Sequence, residues 1–255
     1  MRKIFSLVAA LILVCSSAFA DVKTPRGFDG KVYQASMALY GTLPAGAEIE
    51  TDDGVIKNDH DVTHFLCTVT AFKKVAGGYE LIGAGHCTAE GNPEDLPKGL
   101  VYSVSDNVGT EKTPVKLLKA EVIEPNEDGV EYQDYAVYYM KTDAKIPVIE
   151  LGDESDVAVG DATVDVNFSL GEKMTKQMTR GSVASVIAPA GSAVHGMMLV
   201  QQFDSHGASG SAIVSEKTHR IIGLVIGGYD GTTTPTIAVP ISHIRADVSK
   251  AEAAS

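Results

Sequence analysis

Three short segments of this chain carry side chains whose chemistry fits together. Ser209 stands in Ser205-His206-Gly207-Ala208-Ser209-Gly210-Ser211, between glycines and just ahead of the apolar run Ala212-Ile213-Val214. A hydroxyl on such a turn is presented to a ligand, but near neutral pH it attacks a carbonyl poorly without a base of matching pKa. Imidazole meets that need, and His86 in Gly83-Ala84-Gly85-His86-Cys87 is the base the sequence offers. The imidazole in turn needs a carboxylate that fixes its tautomer and stabilises its cation. Asp134, at the head of the alternating run Tyr135-Ala136-Val137-Tyr138-Tyr139, is placed for a strand to anchor it. Together these residues would carry out nucleophilic attack on a carbonyl through a covalent intermediate. Each segment has a plainer reading as a small-residue turn, a packing histidine or a strand end; their combination favours chemistry.

The order His86, Asp134, Ser209 separates three unrelated scaffolds that use these groups, and it is the order of the chymotrypsin-type barrels. From about Val62 to its end the chain resembles the trypsin-like serine proteases. Its three segments correspond to that family's Thr-Ala-Ala-His-Cys-like, Asp-Ile-Ala-Leu-like and Gly-Asp-Ser-Gly-Gly-like motifs. The resemblance implies an all-β fold of two six-stranded antiparallel barrels with a short C-terminal helix. It also implies that the main-chain N–H groups of Gly207 and Ser209 form an oxyanion hole. The primary specificity pocket would be lined by Phe203, Asp204, His206, Ile226, Gly227 and Gly228, and Phe203 falls where trypsin places its aspartate. Ala208 departs from the pattern: zymogen-activated trypsins hold an aspartate there that pairs with a new N-terminus, so other contacts must order this loop. In the second half, Leu151-Gly152-Asp153, Val159-Gly160-Asp161, Arg180-Gly181-Ser182-Val183 and Ile237-Ala238-Val239-Pro240 resemble the protease unit of HtrA-type enzymes, without the PDZ module those proteins usually carry.

Met1-Arg2-Lys3, the apolar run Ile4 to Val14 and Ala18-Phe19-Ala20 have the three regions of a secretory signal peptide, with cleavage expected after Ala20. The apolar run is too short to span a bilayer, which takes about 20 residues. Residues 1–20 are therefore read as the signal, 21–61 as an N-terminal arm or propeptide, and 62–255 as the protease domain, divided near residue 145. A secreted or periplasmic location follows. Two cysteines outlive the signal, and an even pair in an exported protein reads first as a disulfide. Cys87 follows His86, and Cys67 in His64-Phe65-Leu66-Cys67 matches the family's bridging strand, so the resemblance joins Cys67 to Cys87.

The chain's net charge of −12, which loss of the basic leader makes more negative, argues against nucleic acid or an anionic membrane as a partner. No pair of histidines has a spacing such as His-Glu-x-x-His, and two mature cysteines are too few for a structural zinc site, so neither metal nor cofactor is expected. The expected partner is a protein or peptide substrate.

Positioning these groups falls to short apolar or alternating runs separated by turn clusters. Phe65 to Phe72, Tyr79 to Ala84, Val101 to Val104, Val115 to Val122 and Tyr135 to Met140 make a first set. Val148 to Leu151, Ala162 to Phe168, Gly181 to Ile187, Met197 to Phe203, Ala212 to Val214, Ile221 to Ile226 and Thr236 to Val239 make a second. Ile241, Ile244 and Val248 repeat at helical spacing and predict a closing helix. The sequence thus favours a secreted serine endopeptidase. A catalytically silent barrel kept as a binding module is the alternative from another class. An esterase is disfavoured, because Gly-x-Ser-Gly-Ser running into a strand lacks the last glycine and the helix of a nucleophile elbow.

Overall fold

The computed structural model describes residues 24–51, 54–94, 96–107, 110–124, 131–171, 175–189, 192, 194–228 and 235–252. Residues 1–20, read from the sequence as a signal peptide, lie outside them. Two closed six-stranded antiparallel barrels make up the fold. The first contains β1 (Ser36–Leu43), β4 (Val62–Val75), β5 (Gly78–Gly83), β6 (Val101–Ser105), β7 (Thr113–Ile123) and β8 (Gln133–Lys141), in the order β1-β4-β5-β8-β7-β6. The second contains β9 (Ala162–Asn167), β10 (Gln177–Ser185), β11 (Met198–Gln201), β12 (Ala212–Ser215), β13 (Ile221–Gly228) and β14 (Thr236–Pro240), in the order β10-β11-β14-β13-β12-β9. A small hairpin of β2 (Glu48–Thr51) and β3 (Gly54–Lys57) stands apart from both.

The first barrel thus takes its opening strand from within the segment 21–61 that the sequence reads as an arm or propeptide, and it begins at Ser36 rather than near residue 62. β1 pairs with β4 on one side and with β6 on the other, closing the cylinder, and it is buried along nearly its whole length. The run Val148 to Leu151 behaves differently from its reading as a strand, since only Leu151 forms a bridge, to Ile221.

Alternation of apolar residues fills the barrels. Leu39, Leu81, Ile82, Tyr138 and Met140 are fully buried in the first, and Met198, Val200, Ile213, Ile222 and Ala238 in the second. Two helices tie the barrels together. Helix α1 (Gly27–Ala35) precedes β1 directly and touches β1, β4 and β9. Its Asp29 takes both oxygens to the Arg180 guanidinium of β10, Phe28 stacks on His219 with ring centroids 4.1 Å apart, and the Tyr33 carbonyl accepts from the buried Lys176 amine at 2.8 Å. Helix α2 (Ile241–Glu252) buries Ile241, Ile244 and Val248 against β8, β13 and β14. Among the described residues, no helix is long and apolar enough to cross a membrane.

Candidate active site

Asp134 is the second residue of β8, paired with Val122 of β7, and is 1 % exposed. A buried carboxylate must be met by donors. Two come from the 3₁₀ turn Gly85–Cys87: the main-chain N–H groups of Gly85 and His86 donate to Asp134 Oδ1 at 2.6 and 3.0 Å. The third is His86 Nδ1, 2.6 Å from Asp134 Oδ2, and the Tyr132 hydroxyl is a weaker fourth at 3.4 Å. Burial, then the negative charge of Asp134, raises the Tyr132 pKa, so this hydroxyl keeps its proton and donates. Gly85 cannot be replaced without moving the turn, because a Cβ there would lie 2.3 Å from the Glu121 carbonyl oxygen and 2.8 Å from that of Tyr135. With Nδ1 donating to the carboxylate, His86 Nε2 is left as the acceptor, on a side chain about one third exposed.

The Cys67–Cys87 disulfide joins β4 to the residue after His86, with Cα atoms 6.2 Å apart. Both sulfurs and a His86 ring nitrogen lie within 4.8 Å of one another. Sulfur held in a disulfide is not a thiolate, so this cluster is no metal cage.

Ser209 is partly exposed on a loop of the second barrel that leans on β4 of the first. Thr68 supplies both contacts: its N–H donates to the Ser209 carbonyl at 2.9 Å and its hydroxyl to the Gly207 carbonyl at 2.8 Å. Gly210 follows with φ +80°, and a Cβ there would meet the Thr68 carbonyl oxygen at 2.4 Å and Ala84 N at 2.6 Å. The loop is therefore packed, glycine to backbone, against the segment that leads into His86. Gly207 has φ +99°, a conformation open to glycine, and a Cβ there would lie 2.4 Å from the Phe168 carbonyl oxygen. The carbonyl of His206 is held by Leu170 N–H at 2.7 Å, which turns the N–H of Gly207 the opposite way across the planar peptide. Among the described residues, no acceptor meets the N–H of Gly207 or Ser209, and no hydrogen bond joins Ser209 Oγ to His86.

The other residues singled out from the sequence divide between surface and interior. Phe203 is 46 % exposed, His206, Gly227 and Gly228 are exposed, and Ile226 is half-buried. Asp204 turns inward instead, where its oxygens accept from Asn167 Nδ2 at 2.6 Å and Thr236 Oγ1 at 2.7 Å. Thr236 is the register partner of Gly228, so Asp204 lies at the foot of the Gly227–Gly228 segment. The sequence reading passed over Thr68, Tyr132, Asp165 and Asn167. Thr68 could have been noticed as a polar residue inside the apolar run Phe65 to Phe72.

This is the geometry of a trypsin-like peptidase domain, and the family model of that description matches residues 67–224. The chain belongs to the trypsin-like peptidase family. The match spans the disulfide, His86, Asp134 and Ser209 of this peptidase. Among solved structures it is similar to the HtrA-type protease AlgW with decapeptide, at 15 % identity and a TM-score of 0.62, covering 88 % of this chain and 66 % of that one. It is also similar to the same protease with tripeptide, at 16 % identity and a TM-score of 0.58, covering 89 % and 64 %. The peptidase thus spans just under two thirds of the length of those chains, and at such identity the likeness is one of fold. A comparison with curated proteins finds no match.

Proposed function

We propose that this peptidase is an exported serine endopeptidase that cleaves peptide bonds through a covalent acyl-enzyme. The observation that carries the reading is the buried Asp134 carboxylate, which takes His86 Nδ1 on one oxygen and two main-chain amides on the other. An imidazole held in this way presents Nε2 as a base. Ser209 Oγ gives its proton to Nε2 as it attacks the substrate carbonyl, and Asp134 stabilises the imidazolium that results. The contact between Ser209 and His86 closes when substrate seats, as catalytic hydrogen bonds that are long in a resting site commonly do. The N–H groups of Gly207 and Ser209, without internal acceptors among the described residues, receive the oxyanion. The imidazolium then protonates the leaving amine, and water repeats the sequence on the acyl-enzyme.

Export is supported by the signal-like residues 1–20 and by the Cys67–Cys87 disulfide, a bond that persists in oxidising compartments. A peptide substrate is in keeping with the family and with the peptides bound in the AlgW structures. The test is labelling of the folded chain with a fluorophosphonate probe beside Ser209→Ala, followed by cleavage of a peptide library. Labelling at Ser209 that is lost in Ser209→Ala is expected. A folded protein that is never labelled would mark the chain as a binding module instead.

A further inference from the structure

Ala208 is buried and uncharged, so the loop before Ser209 is held without an ion pair at that position. Its anchors are polar and run to the turn after β9. Asn167 Nδ2 donates to Asp204 Oδ1, Ser205 N–H donates to Ser169 Oγ at 3.1 Å, and Leu170 N–H donates to the His206 carbonyl. The turn is itself fixed by Ser169 N–H on Asn167 Oδ1 at 2.9 Å and by Gln177 Nε2 on the Ser169 carbonyl at 3.0 Å. Leu170 adopts φ +66°, a strained conformation for a residue with a branched side chain, in the act of reaching His206.

The same Asn167 amide also donates to Asp165 Oδ2, at 2.5 Å. Asp165 is fully buried, and among the described residues its Oδ1 has no hydrogen-bond partner, nor has Ser211 Oγ. The groups that act on Asp165 are Asp204 from the loop, Asn167 from β9 and Ser211 from the approach to β12. Those that act on Asp204 are Asn167 from β9, Thr236 from β14 and Asp165. Among the described residues, no cation meets either carboxyl. Lys176, the one buried lysine among the described residues, is taken up by Asp106 and the Tyr33 carbonyl. Burial, then the charge of Asp204, pushes Asp165 up, and burial pushes Asp204 up to about 6. Two buried carboxyls with one amide between them and no counter-cation cannot both be charged at little cost.

We propose that Asp165 and Asp204 hold one proton between them, and that this shared proton positions the loop carrying Gly207 and Ser209. The proposal rests on the serine-peptidase reading. With the proton in place, Asp165 donates to Asp204, and Asp204 stays seated on Asn167 and Thr236, which keeps Ser205 and His206 on the turn. When alkali removes the proton, two adjacent negative charges separate, and Asp204 carries Ser205 to Gly207 away from their anchors. Asp165 and Asp204 are thus positioning residues that act through the main chain of Gly207.

The deciding experiment measures fluorophosphonate labelling rate and thermal midpoint from about pH 5 to about pH 10 for wild type, Asp165→Asn and Asp165→Leu. An asparagine keeps a donor toward Asp204 that alkali cannot remove. Wild-type labelling is expected to fall roughly ten-fold or more on the alkaline side, as a loop displaced by part of an ångström would dictate, while Asp165→Asn stays level. Asp165→Leu, which offers no donor, is expected to label slowly at every pH. Superimposed alkaline limbs in wild type and Asp165→Asn, or equal losses in Asp165→Asn and Asp165→Leu, would overturn the proposal. If wild type folds but never labels, the serine-peptidase reading fails; the thermal midpoint then still tests the pair, since a shared proton requires it to fall with alkali in wild type and to stay level in Asp165→Asn, and a level wild-type midpoint would overturn it. Should Asp165→Asn not fold, Thr236→Val removes one donor from Asp204 alone and must move its ionisation to higher pH in the thermal profile, and an unmoved profile would overturn the pairing.

Discussion

Replacing Asp134 by asparagine should leave the barrel intact and nearly stop the chemistry, and the coordinates indicate by how much. The asparagine oxygen can still accept from the N–H groups of Gly85 and His86, so the 3₁₀ turn that carries the histidine stays in place. The amide nitrogen, however, replaces the oxygen that faces His86 Nδ1 at 2.6 Å. Two donors then confront each other, and the ring moves its proton to Nε2, where it can no longer take one from Ser209. Keeping the productive tautomer costs about 2 kcal/mol for the lost charge-assisted bond and about 2 more for the opposed donors. Together these amount to roughly a thousand-fold in rate. Loss of the anion beside the imidazolium carries the deficit toward about 10⁴-fold. The assay is kcat/KM on a fluorogenic peptide, alongside circular dichroism and the thermal midpoint. A folded Asp134→Asn enzyme within roughly ten-fold of wild type would refute the assignment of His86 as the base. Tyr132→Phe removes only the 3.4 Å contact and serves as the mild control.

Other perturbations follow from the packing. Opening the Cys67–Cys87 bond with a double alanine substitution frees a loop whose ends are 20 residues apart, which should cost about 3 kcal/mol in urea unfolding; an unchanged midpoint would contradict this. Gly210→Ala forces a left-handed residue with a Cβ 2.4 Å from the Thr68 carbonyl oxygen, so the loop must shift by about 1 Å, at a cost of roughly a hundred-fold in kcat/KM. Wild-type turnover in that folded variant would show that the contact does not set the serine's position. Asp204, raised from 3.8 to about 6, gives stability that is complete below its unfolded value and is lost as pH rises through about 6. At about 1.4 kcal/mol per pH unit the loss is about 3 kcal/mol. Urea unfolding of wild type and Asp204→Asn at about pH 4 and about pH 7 should show the slope in wild type alone, and parallel curves would disprove it.

Much of the scaffold can be read from the chain because barrel strands alternate: Tyr135 to Met140 and Ile221 to Ile226 show in their residues the faces they bury, and Ile241, Ile244 and Val248 mark the closing helix. β1 is harder to read, since Ser36 to Leu43 is buried on both faces and follows a helix that starts at a glycine with no side-chain cap. The motifs that bear His86, Asp134 and Ser209 stand out because small residues and a cysteine surround them. The contacts that seat the serine do not: Thr68, Asn167 and Thr236 are ordinary polar residues in strands, and their partners in the serine's loop lie from 32 to more than 130 positions away. Phe203 and Asp204 illustrate the same limit, because a one-residue difference in which side chain turns inward depends on the Thr236 hydroxyl and not on local sequence.

The two helices at the barrel seam make assembly a matter of timing. Helix α1 leaves the ribosome well before its docking partners Arg180 and His219, and helix α2, which braces the strand bearing Asp134, follows the strands of both barrels. The surroundings of the first barrel are therefore completed only after the strands of the second have been made.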